Sequence, residues 1–232
     1  MINKIVFNLI ANLNRSLRAL LLGSFRQQKI ANEIVKLISK FKSKKKIKLL
    51  DFGSGYFKPS LAELVLGKFK KSHTCPNFIC ADFYNKSELI KLNKNSEIQY
   101  INLKTLPNTK QKFDYCIVSD TLHHVKKGVN DLKYLSKILI DLKKKTKYII
   151  IKDHFEYNYL SRTLLQILDF LGNYQNKTNL PKKYFTPKTF KQLVNLSNLK
   201  ILYINDKISY YPWYFIFFNS QKLHFITILK KK

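Results

Sequence analysis

Residues 47–55 read IKLLDFGSG: an apolar run ends in an acid, Asp51, and two glycines follow at alternate positions, Gly53 and Gly55. Glycine lets the backbone take positive φ and lie directly against a ligand. The acid at the strand end either holds the turn or accepts a bond from a ligand ammonium. Twenty-seven residues beyond Gly55 a second apolar run, NFICADF, carries Asp82. A doubly wound sheet places a carboxylate there to accept both ribose hydroxyls, although an acid in that place also serves as a helix N-cap. Phe83, next to it, packs on an adenine face or joins the core. The pair of acids points to a nucleoside-binding sheet.

Two phosphate-binding signatures are missing. A dinucleotide fingerprint needs a third glycine three residues after Gly55, where this chain has Lys58, and no GK[ST] tripeptide occurs. The cleft is therefore expected to take a nucleoside without a phosphate chain.

Working outward, further short runs that are almost wholly apolar occur at 98–101, 115–119 and 148–152, with helical patterns at 27–41, 85–93 and 130–143. Pro59 suits the first turn of a helix reaching about Lys70. Strands of this kind are buried on both faces, so a parallel sheet wrapped by helices follows. The last third changes style. Helices are expected over 159–171 and after Pro187, and the runs 200–209 and 223–229 read as two strands flanking the aromatic stretch YYPWYFIFF. Strands joined without a long helical crossover are antiparallel. The expectation is an α/β, doubly wound, mostly parallel seven-stranded sheet closed by an antiparallel C-terminal hairpin. Residues 1–45 are expected to form an N-terminal helical cover, and 46–232 the Rossmann-like domain.

Within the cover, apolar residues from Ile2 to Leu21 recur on one helical face among Lys4, Arg15 and Arg18. This pattern fits a helix lying over a sheet or site, and also a basic helix resting on an anionic membrane. No apolar run is long enough to span a bilayer and no cleavage signature opens the chain. Three cysteines without a CxxC pair give no disulfide framework, so a cytoplasmic setting is expected.

The net charge of +29 raises a nucleic-acid partner. All but four of the 43 basic residues are lysines, however, and arginine is the usual reader of base edges. Abundant Lys, Asn and Ile together fit the drift of an AT-rich coding sequence at tolerant surface positions.

With these motifs the chain resembles the class I S-adenosylmethionine-dependent methyltransferases over roughly residues 30–155. LLDFGSG looks like the first motif of that family, CADF like the acidic second, and INLKTLPNTKQKFDYCIVSDTLHHV like the run joining the third and fourth strands. The resemblance implies S-adenosylmethionine as cofactor. It places Asp51, Gly53 and Gly55 along the methionine part, Asp82 at the ribose, Asn102 and Leu103 at the adenine, and Ser119 below the sulfonium. Two departures stand out: Phe57 where the family often has a third glycine, and Asn102 where it often has Asp. Asn still offers an amide oxygen to the adenine amine.

Methyl transfer depends mainly on holding acceptor and methyl in line. For a hydroxyl acceptor, His154, His123 and Asp120 are the candidate general bases, standing at the carboxyl ends of strands with His124 and Asp153 nearby. Packing beneath the following helix is the structural alternative for a histidine of the LHHV pair. Asp120 and Asp153 are not spaced with these histidines so as to demand a metal, and none is expected. The NPPY tetrapeptide of many base-amine methyltransferases is absent, with SDTL from position 119. A small-molecule or lipid-like acceptor is expected, with RNA methylation or a catalytically degenerate cofactor-binding module as alternatives.

Overall fold

Every run read as a strand enters one seven-stranded sheet. In the computed structural model, which describes residues 25–41, 46–54, 60–71, 76–82, 97–125, 128–173, 180–208 and 223–232, the chain opens with α1 (Phe25–Phe41), β1 (Lys48–Phe52), α2 (Leu61–Lys71), β2 (Asn77–Asp82) and β3 (Ile98–Asn102). It continues with β4 (Phe113–Ser119), α3 (Leu132–Lys145), β5 (Thr146–His154), α4 (Tyr159–Asn173), α5 (Pro187–Leu196), β6 (Leu199–Asn205) and β7 (His224–Lys231). Short 3-10 turns at Leu103–Asn108, Leu122–His124 and Gly128–Asn130 link these elements. The strand order is β3-β2-β1-β4-β5-β7-β6. Neighbours among the first five strands are parallel, and β7 runs antiparallel to both β5 and β6. This is the expected doubly wound sheet with its antiparallel C-terminal pair. The stretch 2–22, the helical pattern 85–93, the aromatic run from Tyr210 to Phe218, and Gly55, Phe57, Lys58, Pro59 and Phe83 lie outside the described residues.

Strand side chains alternate between faces, and here both faces are dry. Leu49, Phe78, Tyr115, Ile117, Ile150 and Ile228 pack under α1 and α2, whereas Leu50, Ile79, Val118, Ile151, Phe225 and Leu229 pack under α3 and α5. In α1 the buried residues Ile30, Ala31, Ile34, Leu37 and Ile38 form one stripe at helical spacing, joining that helix to the first core. No helix among the described residues is long and apolar enough to cross a membrane.

Two boundaries differ from the sequence expectation for physical reasons. Helix α2 begins at Leu61 because Ser60 and Glu63 form a reciprocal cap: the Ser60 amide donates to Glu63 Oε2 (2.8 Å) and the Glu63 amide to Ser60 Oγ (3.2 Å). Strand β5 runs past Lys152 to His154 because β7 keeps pairing with it, Asp153 opposite Phe225 and His154 opposite His224. Pairing thus draws two ionisable residues into the buried sheet.

Candidate active site

Order β1-β4 in the sheet marks the point where the winding reverses, and in open α/β sheets the crevice outside the carboxyl ends at that point receives ligands. Gly53 turns the chain there with φ +77°, and its amide donates to Ala81 O (2.8 Å), tying the end of β1 to the end of β2. A Cβ at Gly53 would stand 2.5 Å from Thr121 Cγ2, so no side chain fits. Thr121 in turn donates its hydroxyl hydrogen to Ser119 O (2.9 Å).

Asp51 and Asp82 come side by side. Asp51 pairs in register with Cys80, two residues before Asp82, so the period of two sets both carboxyls on one face of adjacent strands. Asn102, opposite Asp82 in β3, and Ser119, two residues past Ile117 in β4, share that face. Asp51 is 2% exposed, and its Oδ2 meets no hydrogen-bond partner among the described residues. Burial, with the Asp82 charge adding, pushes the Asp51 carboxyl up to about 7. Asn102 Oδ1 accepts from the Lys104 amide (2.9 Å) and caps the 3-10 turn that begins at Leu103, a half-buried residue packed on the second core.

A second polar cluster lies farther along the sheet, at β5. Asp120, at φ +50°, receives Arg26 Nη2 from α1 at 2.8 Å and the buried Lys152 Nζ, and stands 3.1 Å from His154 Nε2. Burial works to raise its pKa, but Lys152, Arg26 and His154 hold it well below the usual carboxylate range. Burial lowers Lys152 to about 8, with Arg26 adding to the shift and Asp120 opposing it. His154, 2% exposed, is lowered to about 4 by burial and by Lys152. Its ring packs 4.7 Å from that of His224.

Next to this cluster, with its ring centroid 5.0 Å from that of His154, His123 is 1% exposed. Its Nδ1 lies 2.5 Å from Asp153 Oδ1, and its Nε2 lies 3.3 Å from Asp169 Oδ2. Burial alone would lower its pKa, yet the two carboxylates push it up to about 10. Tyr184 donates its hydroxyl to Asp169 Oδ2 (2.6 Å). The loop before α5 is tied down by Glu156, which accepts from the Tyr184 amide (2.9 Å) and from both Nε and Nη2 of Arg162.

The sequence offered His154, His123 and Asp120 as bases facing an acceptor. The structure places all three near the ends of β4 and β5, each buried or ion-paired. Against the effect of burial, Asp153 and Asp169 push His123 up, burial and Lys152 push His154 down, and Asp120 is paired with Arg26 and Lys152. His123 fits the alternative reading of a packed residue. Of the expected cofactor-binding residues, the fold brings together Asp51, Gly53, Asp82, Asn102 and Ser119 with Leu103 beside them; Gly55 and Phe83 lie outside the described residues. Sequence reasoning passed over Arg26, Lys152, Asp169, Tyr184 and His224. A signal existed for Lys152: the run IIIKDH places three ionisable residues in succession where the most apolar strand ends.

No protein-family model matches the chain, and no curated protein matches it in sequence. Solved structures do share its fold. Magnesium protoporphyrin IX methyltransferase from Synechocystis, with bound SAH, is similar at a TM-score of 0.55 and 10% identity over 89% of this chain and 84% of that one. A SAM-dependent methyltransferase from Methanosarcina mazei is similar at 0.52 and 15% identity over 84% and 96%. A pericyclic reaction enzyme is similar at 0.55 and 12% identity, over 85% of this chain but only 46% of that one. At such identities the likeness is one of fold.

Proposed function

We propose that the chain binds S-adenosylmethionine in the crevice outside β1 and β2 and transfers a methyl group to an oxygen, nitrogen or carbon of a small or lipid-like acceptor. The observation that carries this reading is the pair of buried carboxyls, Asp51 and Asp82, on one face with the positive-φ Gly53 between them. The partnerless Asp51 Oδ2 fits a ligand ammonium, and the shared fold includes proteins solved with bound SAH or SAM. In this reading Asp51, Gly53 and Gly55 line the methionine part, Asp82 holds the ribose, Phe83, Asn102 and Leu103 frame the adenine, and Ser119 lies below the sulfonium. Asn102 Oδ1 accepts from the Lys104 amide, which fixes the side chain at the end of β3 where the adenine would lie.

The bound sulfonium supplies an activated methyl, which leaves the protein the task of alignment. Asp82 fixes the sugar and Gly53 lets the cofactor approach the backbone. His154, His123 and Asp120 act as positioning groups that keep the ends of β4 and β5 in register. The segment 1–45 serves as the cover of the domain 46–232, with Arg26 as its link to the site, and the buried free thiols of Cys80 and Cys116 suit a reducing cytoplasm.

Calorimetric titration with S-adenosylhomocysteine tests the cleft. Asp82→Ala is expected to lose at least about tenfold in affinity, since a charge-assisted hydrogen bond is worth roughly 1.5–3 kcal/mol. Gly53→Arg is expected to abolish binding. Unchanged affinity in Asp82→Ala refutes the assignment. Labelled methyl incorporation then sorts acceptors: label in RNA, with binding that falls steeply with salt, would replace the small-molecule acceptor by RNA. Binding without turnover on any acceptor would leave a degenerate module.

A further inference from the structure

We propose that His123, His124 and Asp169 form a binding site for a zinc-class divalent cation, distinct from the nucleoside crevice and independent of the methyl-transfer reading. The two histidines are consecutive on a 3-10 turn, where neighbouring side chains ordinarily leave about 120° apart. Here their rings converge, with centroids 4.0 Å apart, over the Asp169 carboxylate supplied by α4. The donor atoms of all three residues lie within 4.8 Å of one another.

Bond lengths of about 2.0–2.2 Å around a tetrahedral ion require donors roughly 3.3–3.6 Å apart. His123 Nε2 and Asp169 Oδ2 already stand at 3.3 Å, and His124 Nε2 and Asp169 Oδ2 at 4.0 Å. Ligation would draw the His124 ring towards the other two donors, all three lying within 4.8 Å of one another. His123 Nε2 is fully buried and meets Asp169 Oδ2 at 3.3 Å without the alignment of a hydrogen bond, so a bound cation would replace the Nε2 proton between ring and carboxylate.

The outer groups are those of a metal site. Asp153 Oδ1 holds His123 Nδ1 at 2.5 Å, which orients the ring and fixes Nε2 as the donor. The Tyr184 hydroxyl hydrogen-bonds the Asp169 carboxylate and steadies the third ligand. Two imidazoles and one carboxylate form a donor set that zinc accepts with its fourth position open. Beside the two histidines lies a cavity of about 200 Å³, also lined by Pro181, Lys182 and Lys183. The open position would face that cavity, where water or an anionic oxygen, drawn by the two lysines, completes the coordination. The donor set is not the Asp120 and Asp153 combination weighed from the sequence. Asp153 enters only behind His123, and Asp169 sits 45 residues farther along the chain than His124.

Cobalt(II) titration of the untagged full chain, followed by visible absorption, tests the site, with zinc competition and metal analysis for stoichiometry. One cobalt per chain with intense tetrahedral bands, displaced by zinc, is expected. His124→Ala and Asp169→Asn should each weaken binding at least tenfold, while Asp141→Asn, at a surface carboxylate of α3, leaves it unchanged. Absence of stoichiometric cobalt or zinc binding by the wild-type chain overturns the proposal, as does full-strength binding in His124→Ala. That residue is only partly buried, so its variant decides the matter should Asp169→Asn fail to fold. An S-adenosylhomocysteine titration of the same samples separates the two readings, because the nucleoside crevice can bind when the cluster does not, and the reverse.

Discussion

Replacing Asp51 by Asn should stabilise the free protein and weaken its hold on a cationic ligand at the same time. The carboxyl is buried beside Asp82 and titrates near 7 instead of 3.8. An acid whose folded pKa is raised binds more protons in the folded state, so its stabilising contribution is complete below about pH 4 and is lost as pH rises through 7. Three units at 1.36 kcal/mol each amount to about 4 kcal/mol at slightly alkaline pH, an upper bound because the Asn amide also needs partners. Urea denaturation of both proteins at about pH 4.5, 6 and 8, with the slope m held common, measures the difference. The variant should gain little at the lowest pH and most at the highest. Equal or lower stability of the variant at pH 8, or a difference that does not change with pH, refutes the argument. Ligand binding should mirror it. An ammonium held by the ionised carboxylate binds more tightly as pH climbs towards 7, by up to about tenfold per unit, and Asp51→Asn should flatten that slope.

Asp120→Asn leaves the buried Lys152 ammonium without its anionic partner, and breaking a buried pair costs about 3–5 kcal/mol, so a loss under 1 kcal/mol in urea denaturation would contradict the charge assignment. Thr186 caps α5 by accepting from the Thr189 amide (3.1 Å), and Thr186→Ala should cost about 0.5–2 kcal/mol, read as a lower urea midpoint with unchanged m. A chain carrying +29 repels itself, so raising salt from about 0.01 M to 0.15 M, which shortens the screening length from about 30 Å to 8 Å, should raise the melting temperature; a fall would mean that attractive pairs dominate.

The identity of the strands was legible because parallel strands buried on both faces leave short continuous apolar runs, as in FICA and YIII. The acids tipping β1 and β2 were legible for the same reason, since a carboxylate ending such a run is conspicuous. What the sequence concealed is which way the ionisable residues at the end of β5 would be used. Lys152 looks like the strand's last residue and Asp153 and His154 like the loop beyond it, until β7, arriving from 70 residues downstream, pairs with them and buries them. The sequence set His154 just past the strand, whereas pairing with β7 sets it inside the sheet. Asp169 and Tyr184 were invisible because only the tertiary placement of α4 and of the loop before α5 brings them to His123.

The alternation of β5 has a further consequence. Lys152 and His154 share the face of Tyr148 and Ile150, as do Asp51, Asp82, Asn102 and Ser119 through their own strands, whereas Asp153 projects with Ile149 and Ile151 to the other face and meets His123 there. One strand end therefore commits charge to both layers of the protein. Such burial is seldom favourable for stability alone, because desolvation of each ion rivals the attraction between partners. On the first face the charges bind Arg26 of the covering helix to the end of β4, next to the nucleoside crevice. On the second they orient a histidine towards Asp169 and the cavity beyond it. The two clusters meet where the His123 ring packs 5.0 Å from that of His154, but His124 and Asp82 stand on different elements, so His124→Ala should leave the crevice intact and Asp82→Ala should leave the histidine cluster intact, and the two ligands can be assayed separately on one folded chain.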